Sequence, residues 1–122
     1  MNTYVEAFES LLGLLELEEG WSDDGASKID REILSSVSAF MVKLADMGVS
    51  PPWPVPLSDG RIQLEWRKGG HYVEFEFVDP TNVIYIDDDH AGNTGQGSLY
   101  IDDKERVLDI LKHFVKTDDG VS

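Results

Sequence analysis

The residues best suited to chemistry begin with an acidic run, Asp87-Asp88-Asp89-His90, which precedes a glycine-rich stretch. Carboxylate oxygens suit calcium or magnesium, and a histidine beside acids suits a transition metal. The run does not follow the D-x-D-x-D-G pattern of an EF-hand, and no second spaced ligand cluster accompanies it. We therefore predict no cofactor, and the candidate cation ligands are limited to Asp87, Asp88, Asp89 and His90.

A second group of acids lies in segments 61–66, 71–78 and 83–87, where apolar and polar residues alternate. This alternation is typical of β-strands with one buried side, so the three segments predict an antiparallel meander. The hairpins are expected to pair Trp66 with His71 and Val78 with Val83. In that register the polar sides combine into one acidic surface with two aromatic residues, and carboxylates around aromatics suit Arg or Lys of a partner. The candidate partner-binding residues are Glu65, Tyr72, Glu74, Glu76, Tyr85 and Asp87.

Catalytic patterns are weak in this sequence. None of His71, His90 and His113 has a nucleophile at motif spacing, and neither G-x-S-x-G nor the G-x-x-x-x-G-K-S/T phosphate loop occurs. The sequence therefore favours a protein that is not an enzyme. A cation-dependent regulatory domain using the Asp87–His90 loop and a small hydrolase with a dispersed site remain alternatives.

Charge is the most unusual bulk property of the 122 residues. There are 24 acids and 10 Lys or Arg residues, which gives a net charge of −14. Phosphates of nucleic acids and anionic membranes repel such a chain, whereas a basic protein partner attracts it; solubility is the competing explanation of the acidity. There is no cysteine and no apolar run of membrane-spanning length, so we expect a cytoplasmic monomer or homodimer.

The surrounding elements follow from periodicity and from turn residues. Residues 3–18 predict an amphipathic helix whose buried side holds Val5, Phe8, Leu11, Leu12 and Leu15. The segment "GWSDDGAS" at 20–27 would connect this helix to a second one, with Ser27 as the helix cap and Trp21 buried between the helices.

The rest of the chain completes one expected domain spanning 1–122. Residues 50–60 carry four prolines, which predict an extended crossing segment, and 87–98 predict a polar loop. Leu99–Ile101 is a candidate short fourth strand, a last helix begins near Asp102, and the tail 117–122 is expected to fray. The predicted fold is α+β, in the order α-α-β-β-β-α, with a three-stranded antiparallel meander, or four strands, packed with helices.

A resemblance covers residues 20–78 of the chain. The motifs that carry it are "GWSDDGAS", the proline cluster, "DGRIQLEW" and "YVEFEF". Together they resemble a group of small bacterial and mobile-element proteins with a Gly-Trp-Asp-Gly-x-Gly-Ala loop and a Leu-Glu-Trp strand. Gly20, Trp21, Gly25 and Ala26 match that loop, whereas Ser22 and Asp23 stand where the group has Asp and Gly. The mobile-DNA setting of the group implies an antitoxin, immunity or anti-defence role.

These observations predict a binding protein that uses an acidic surface. Its partner would be a basic protein surface, and its role that of an antitoxin, immunity or inhibitor protein, including one that mimics the charge of nucleic acid.

Overall fold

The computed structural model describes residues 3–21, 25–89 and 91–116 and shows an α+β fold. The predicted class is confirmed, but the sheet has five antiparallel strands in sequential order β1-β2-β3-β4-β5, instead of three or four. The tail 117–122 lies outside the described residues. The helices and strands are α1 (Tyr4–Gly13), α2 (Arg31–Asp46), β1 (Trp53–Pro56), β2 (Ile62–Lys68), β3 (His71–Phe77), β4 (Asn82–Asp88), β5 (Thr94–Tyr100) and α3 (Lys104–Ile110), with short 3-10 helices at Leu14–Glu16 and Lys112–Phe114.

Polar side chains define where the first two helices begin. Thr3 caps α1 by accepting a hydrogen bond from the backbone N–H of Glu6, and its hydroxyl donates to the Glu6 carboxylate. Asp30 caps α2 by accepting from the N–H groups of Glu32 and Ile33. The prediction of Ser27 as the cap was wrong, because the Asp30 carboxylate is the group placed at the first free N–H groups of the helix.

The connector between α1 and α2 is held by backbone acceptors. The Trp21 indole N–H donates to the Ser27 carbonyl at 2.8 Å, and the Ser27 N–H donates to the Ser58 carbonyl at 2.7 Å. Trp21 is half-buried, and not largely buried as expected. Gly60 lies so close to this connector that a Cβ there would be 2.7 Å from the Lys28 carbonyl oxygen. Residues 22–24 lie outside the described residues.

The edge strands lie largely outside the predicted three-stranded meander: β1 was not expected, and of β5 only Leu99 and Tyr100 fall in the candidate fourth strand Leu99–Ile101. β1 lies within the proline-rich segment and pairs with β2 along one side only. Pro54 and Pro56 are tolerated in it because an edge strand has backbone positions that need no partner. β5 occupies much of the predicted 87–98 loop. Its register against β4 places Gly97 opposite Tyr85 and Gly95 opposite Asp87, so glycine leaves room for larger partners on β4.

The helices pack on one side of the sheet, and a single core joins them to it. Phe40 of α2 lies 6.1 Å from Phe75 and 5.6 Å from Phe77 between ring centroids, and Trp66 lies 5.1 Å from Phe75. Helix α1 contributes Ala7 and Leu11 to this core. Within the described residues, no helix combines the length and apolarity required to cross a membrane.

The predicted helix 3–18 differs from the structure in its end and in its buried side. Leu11 is buried and Phe8 packs against the core as expected, but Val5 and Leu12 of α1 are 68% and 57% exposed, and Leu15 of the following 3-10 helix is 40% exposed. Helical periodicity identified a wide apolar arc, and only part of that arc contacts the core.

Candidate functional site: the open face of the sheet

The side of the sheet opposite the helices is formed by alternate residues of every strand. On β2 and β3, the buried members of the alternation include Leu64, Trp66, Val73 and Phe75, while the residues between them are half-buried or exposed. Cross-strand partners share one side of a sheet, so the register assigns each polar residue to a side. We call the side without helices the open face.

A tight glycine turn sets the register between β2 and β3. Gly69 and Gly70 adopt φ values of 56° and 87°, so a two-residue turn joins the strands and Lys68 pairs with His71. The predicted pairing of Trp66 with His71 was wrong by two residues, because the turn does not include Arg67 and Lys68. A shift of two residues leaves each side chain on the side of the sheet that was predicted for it. Its consequence is that Glu65 lies directly opposite Glu74.

The register between β3 and β4 differs from the prediction by one residue. Phe77, and not Val78, pairs with Val83, so Glu74 lies opposite Ile86 and Glu76 opposite Ile84. A one-residue shift moves every side chain of a strand to the other side of the sheet.

Tyr85 and Asp87 therefore lie on the helix side of the sheet, opposite Phe75 and Val73. The predicted acidic surface of six residues is divided: Glu65, Tyr72, Glu74 and Glu76 share the open face, and Tyr85 and Asp87 do not. Arg106 donates a 3.5 Å hydrogen bond to the Tyr85 hydroxyl from α3, which gives this tyrosine a contact within the fold.

The carboxylates of the open face have different electrostatic surroundings. Arg61 forms a 2.7 Å ion pair with Glu76 and a 2.6 Å ion pair with Asp59. Glu65 instead accepts a hydrogen bond from the Gln63 amide at 2.7 Å, and Glu74 accepts one from the Tyr72 hydroxyl at 2.6 Å. Within the part of the chain that the structure describes, neither Glu65 nor Glu74 forms an ion pair.

Tyr72 stays protonated and donates its hydrogen bond to Glu74 of the Glu65–Glu74 pair. Its pKa is raised well above the ordinary value, first by burial, then by the hydrogen bond to Glu74 and by the negative charges of Glu65 and Glu74. The Arg67 guanidinium lies 4.3 Å from the centre of the Tyr72 ring and acts on the pKa in the opposite direction. The neutral hydroxyl can therefore hold Glu74 in place without cancelling its charge.

Apolar side chains surround the acidic pair, and the sequence interpretation missed them. Trp53 is the cross-strand partner of Glu65 and is 52% exposed, and Ile84 beside Glu76 is 46% exposed. Ile86, opposite Glu74, is half-buried. Trp53 is not among the residues that the sequence analysis proposed for this surface. An available signal was its position in an edge segment between prolines, where alternate residues of a strand face away from the core.

The described acids of the predicted cation loop do not point to one common position. Asp87 and Asp88 are consecutive strand residues and face opposite sides of the sheet, while Asp89 folds its own loop by accepting from Ala91 and Asn93. These hydrogen bonds, first of all that from the Asn93 side chain, lower the pKa of Asp89. His90 lies outside the described residues. Among the residues described, no group of three or more His, Asp or Glu is placed to hold a metal ion.

Two histidines from distant segments meet at the end of the sheet on its helix side. The His71 and His113 rings stack with centroids 3.8 Å apart and an interplanar angle of 14°. The Nδ1 atom of His71 is buried and has no hydrogen-bond partner among the described residues. A stacked pair does not by itself supply the nucleophile, base and orienting group of a hydrolase.

Comparisons of the chain with protein-family models, with curated proteins and with solved structures gave no match.

Proposed function

We propose that this protein is a non-enzymatic binding protein whose open face engages a basic surface of a protein partner. The observation that carries the proposal is the Glu65–Glu74 pair, two carboxylates placed directly opposite each other without an ion-pair partner in the described structure. Like charges in this arrangement destabilise a sheet, and folding alone gains nothing from them. An Arg or Lys side chain between the two carboxylates would convert this repulsion into attraction.

Apolar side chains beside the Glu65–Glu74 pair would add contact area to the attraction between charges. Trp53, Ile84 and Ile86 adjoin the acids, and aromatic or aliphatic anchors beside polar groups are the usual composition of a binding surface. The five-stranded sheet presents them on the side without helices. Such a face suits a basic protein surface with exposed apolar residues.

The net charge of −14 also favours a basic partner, because electrostatic attraction acts over longer distances than the contacts of the open face. It accelerates encounter with a positive surface at low ionic strength and opposes approach to phosphates. An antitoxin, immunity or anti-defence inhibitor is the form of such a binder that the sequence resemblance suggests, and competition with nucleic acid for the same basic surface is the corresponding mode of action.

The decisive experiment compares two charge-reversed variants in binding to a captured partner. Affinity capture from the host identifies the partner, which is then titrated at two salt concentrations. Glu65→Lys with Glu74→Lys should weaken binding by about 2 kcal/mol or more, within the range for close charge pairs at interfaces.

Glu105→Lys with Asp109→Lys is the matched control, because it makes the same change in net charge on the exposed side of α3. It should leave most of the affinity intact. Equal losses in the two variants would show that the acids act only through net charge, and a salt-independent affinity unchanged by either variant would refute the proposal.

A further inference from the structure

Helix α1 and the 3-10 helix that follows it carry an apolar stripe that the fold covers only in part. Val5, Phe8, Leu12 and Leu15 follow each other at intervals of three, four and three residues. Val5 and Leu12 are more than half exposed, and Leu15 is 40% exposed, while Phe8 is partly buried beside Tyr4. We call these four residues the α1 stripe. Phe8 packs against the core that Ala7 and Leu11 join, so only Val5, Leu12 and Leu15 are additional to the contacts of the fold.

The spacing of the apolar residues in the α1 stripe is typical of a surface that packs against another helix. Apolar residues at alternating intervals of three and four form the seam along which one helix packs against another. Helix-in-groove and helix-on-helix recognition use such anchors, about one per turn on a single side. The α1 stripe therefore has the pattern of a helix-docking surface, and its three exposed members would lose contact with water when a second helix covers them.

The charges around the stripe define the partner further. Residues 1–27 contain seven acids and no Lys, Arg or His. Glu9 lies four residues after Val5 and three before Leu12, so it neighbours the stripe on the helix surface, and Glu16 follows Leu15 in the 3-10 helix. Within the described residues, none of Glu6, Glu9 and Glu16 forms an ion pair. The complementary partner carries Lys or Arg beside its own apolar seam.

Two other occupants conflict with these charges. A second copy of this chain would bring its own Glu9 and Glu16 towards those of the first, without a basic residue in residues 1–27 to offset them. An anionic membrane surface would be repelled in the same way.

We propose that the α1 stripe docks a basic amphipathic helix of a partner protein. The surface is distinct from the open face, because α1 packs on the helix side of the sheet and shares no residue with the Glu65–Glu74 pair. The proposal therefore does not depend on the proposed function of the open face.

The probe is a labelled synthetic helix of about three heptads with Leu at the seam positions and Lys beside them. Its binding is measured by fluorescence anisotropy at about 0.15 M salt, where long-range attraction is largely screened. A peptide of the same length with Glu in place of Lys is the charge control. We expect the Lys peptide to bind and the Glu peptide to bind at least about tenfold more weakly.

Variants of the full chain locate the binding. Val5→Gln with Leu12→Gln should weaken binding of the Lys peptide by about tenfold or more, since two exposed apolar anchors are lost. Val42→Gln is the matched control, because Val42 is an apolar residue of α2 with 51% exposure, and it should leave the affinity unchanged. Circular dichroism and thermal unfolding verify that each variant is folded, and Leu15→Gln provides an independent test of the stripe.

Several results would overturn the inference. One is absence of binding by the Lys peptide, and another is binding that persists in the Val5, Leu12 and Leu15 variants. Loss of peptide binding on Glu65→Lys with Glu74→Lys, but not on the α1 substitutions, would assign the peptide to the open face. A wild-type dimer in sedimentation that Val5→Gln with Leu12→Gln dissociates would show that a second copy covers the stripe.

Discussion

At the scale of single residues, Tyr85 lies across Gly97, its partner on the neighbouring strand. A Cβ on Gly97 would be 3.1 Å from Cε1 of Tyr85 and 3.2 Å from its hydroxyl oxygen. At Gly95 the corresponding position lies 3.9 Å from the Asp87 Cβ, which is an ordinary contact. Two glycines of the same strand are thus expected to have different roles: one accommodates an aromatic ring, and the other has room for a methyl group.

This difference predicts that replacing Gly97 and Gly95 by alanine affects the stability of the protein differently. Gly97→Ala should lower the free energy of unfolding by about 1 kcal/mol, because the methyl group displaces the Tyr85 ring. Gly95→Ala should leave it unchanged or raise it by about 0.5 kcal/mol through the reduced entropy of the unfolded chain. Urea unfolding measures both. In a Tyr85→Ala background the cost of Gly97→Ala should vanish, and a cost that persists there would contradict the assigned contact.

At the scale of elements, the turn between β3 and β4 decides which residues reach the open face. The Asp79 carboxylate accepts hydrogen bonds from the N–H groups of Thr81 and Asn82 and from the Asn82 side chain. The Val78 N–H donates to the Asn82 carbonyl at 2.9 Å, which follows the same register as the last pair of the ladder, Phe77 with Val83. One aspartate thereby helps to fix the register that separates Glu74 from Asp87.

The same hydrogen bonds predict a pH dependence. They lower the pKa of Asp79 below its ordinary value of 3.8, with the Asn82 side chain as the largest cause and the Thr81 N–H next. A lowered folded-state pKa stabilises the protein above the unfolded-state pKa, and this stabilisation is lost as the pH falls through the folded-state pKa. The stability of the wild type should therefore decline below about pH 4 more steeply than that of Asp79→Asn.

Two measurements check this expectation. NMR titration of the Asp79 carboxyl group gives its pKa directly, and urea unfolding of wild type and Asp79→Asn across the acidic range gives the stability difference. An Asp79 pKa at or above 3.8 would show that the turn hydrogen bonds do not persist in solution.

At the scale of the whole molecule, acids are distributed over every side of the fold. They occur on α1, on the open face, in the turns and on α3, and only a few are paired: the ion pairs of the described residues involve Glu18, Asp59, Glu76 and Asp102. Mutual repulsion of unpaired charges opposes the compact state.

Screening should therefore stabilise the protein. Raising the salt concentration from about 0.02 M to about 0.5 M shortens the Debye length several-fold, and the free energy of unfolding in urea should increase. Urea is the appropriate denaturant because it adds no ions of its own. A decrease of stability with salt would mean that ion pairs such as Arg61–Glu76 outweigh the general repulsion.

Local patterns predicted much of the fold. The period-two alternation correctly divided β2 and β3 into buried and polar residues, including Leu64 and Glu74, because each strand has one side against the core. The helical pattern located α1 and α2 but not the limits of the side that α1 buries, since apolar periodicity is the same for a core contact and for an exposed stripe. β1 and the first five residues of β5 were missed because prolines and glycines weaken strand signals, and backbone pairing with a neighbour overrides them.

The candidate site was predictable only in part. Glu65, Tyr72, Glu74 and Glu76 were assigned to one side of the sheet, and the structure brings them together, whereas Tyr85 and Asp87 lie on the other side. Trp53 joined the site because β1 pairs with β2, a contact between segments whose own patterns do not specify it.

The sequence by itself determined the sign of the charge, the α+β class and the separation of buried from polar residues within β2 and β3. These properties depend on composition and on neighbours a few residues apart, which the sequence displays directly. Only the tertiary structure decided which strands pair, in which register, and which side of each helix stays uncovered. A turn that contains one residue more or less moves a whole strand by one position, and hydrogen bonds such as those of Asp79 choose between the two outcomes.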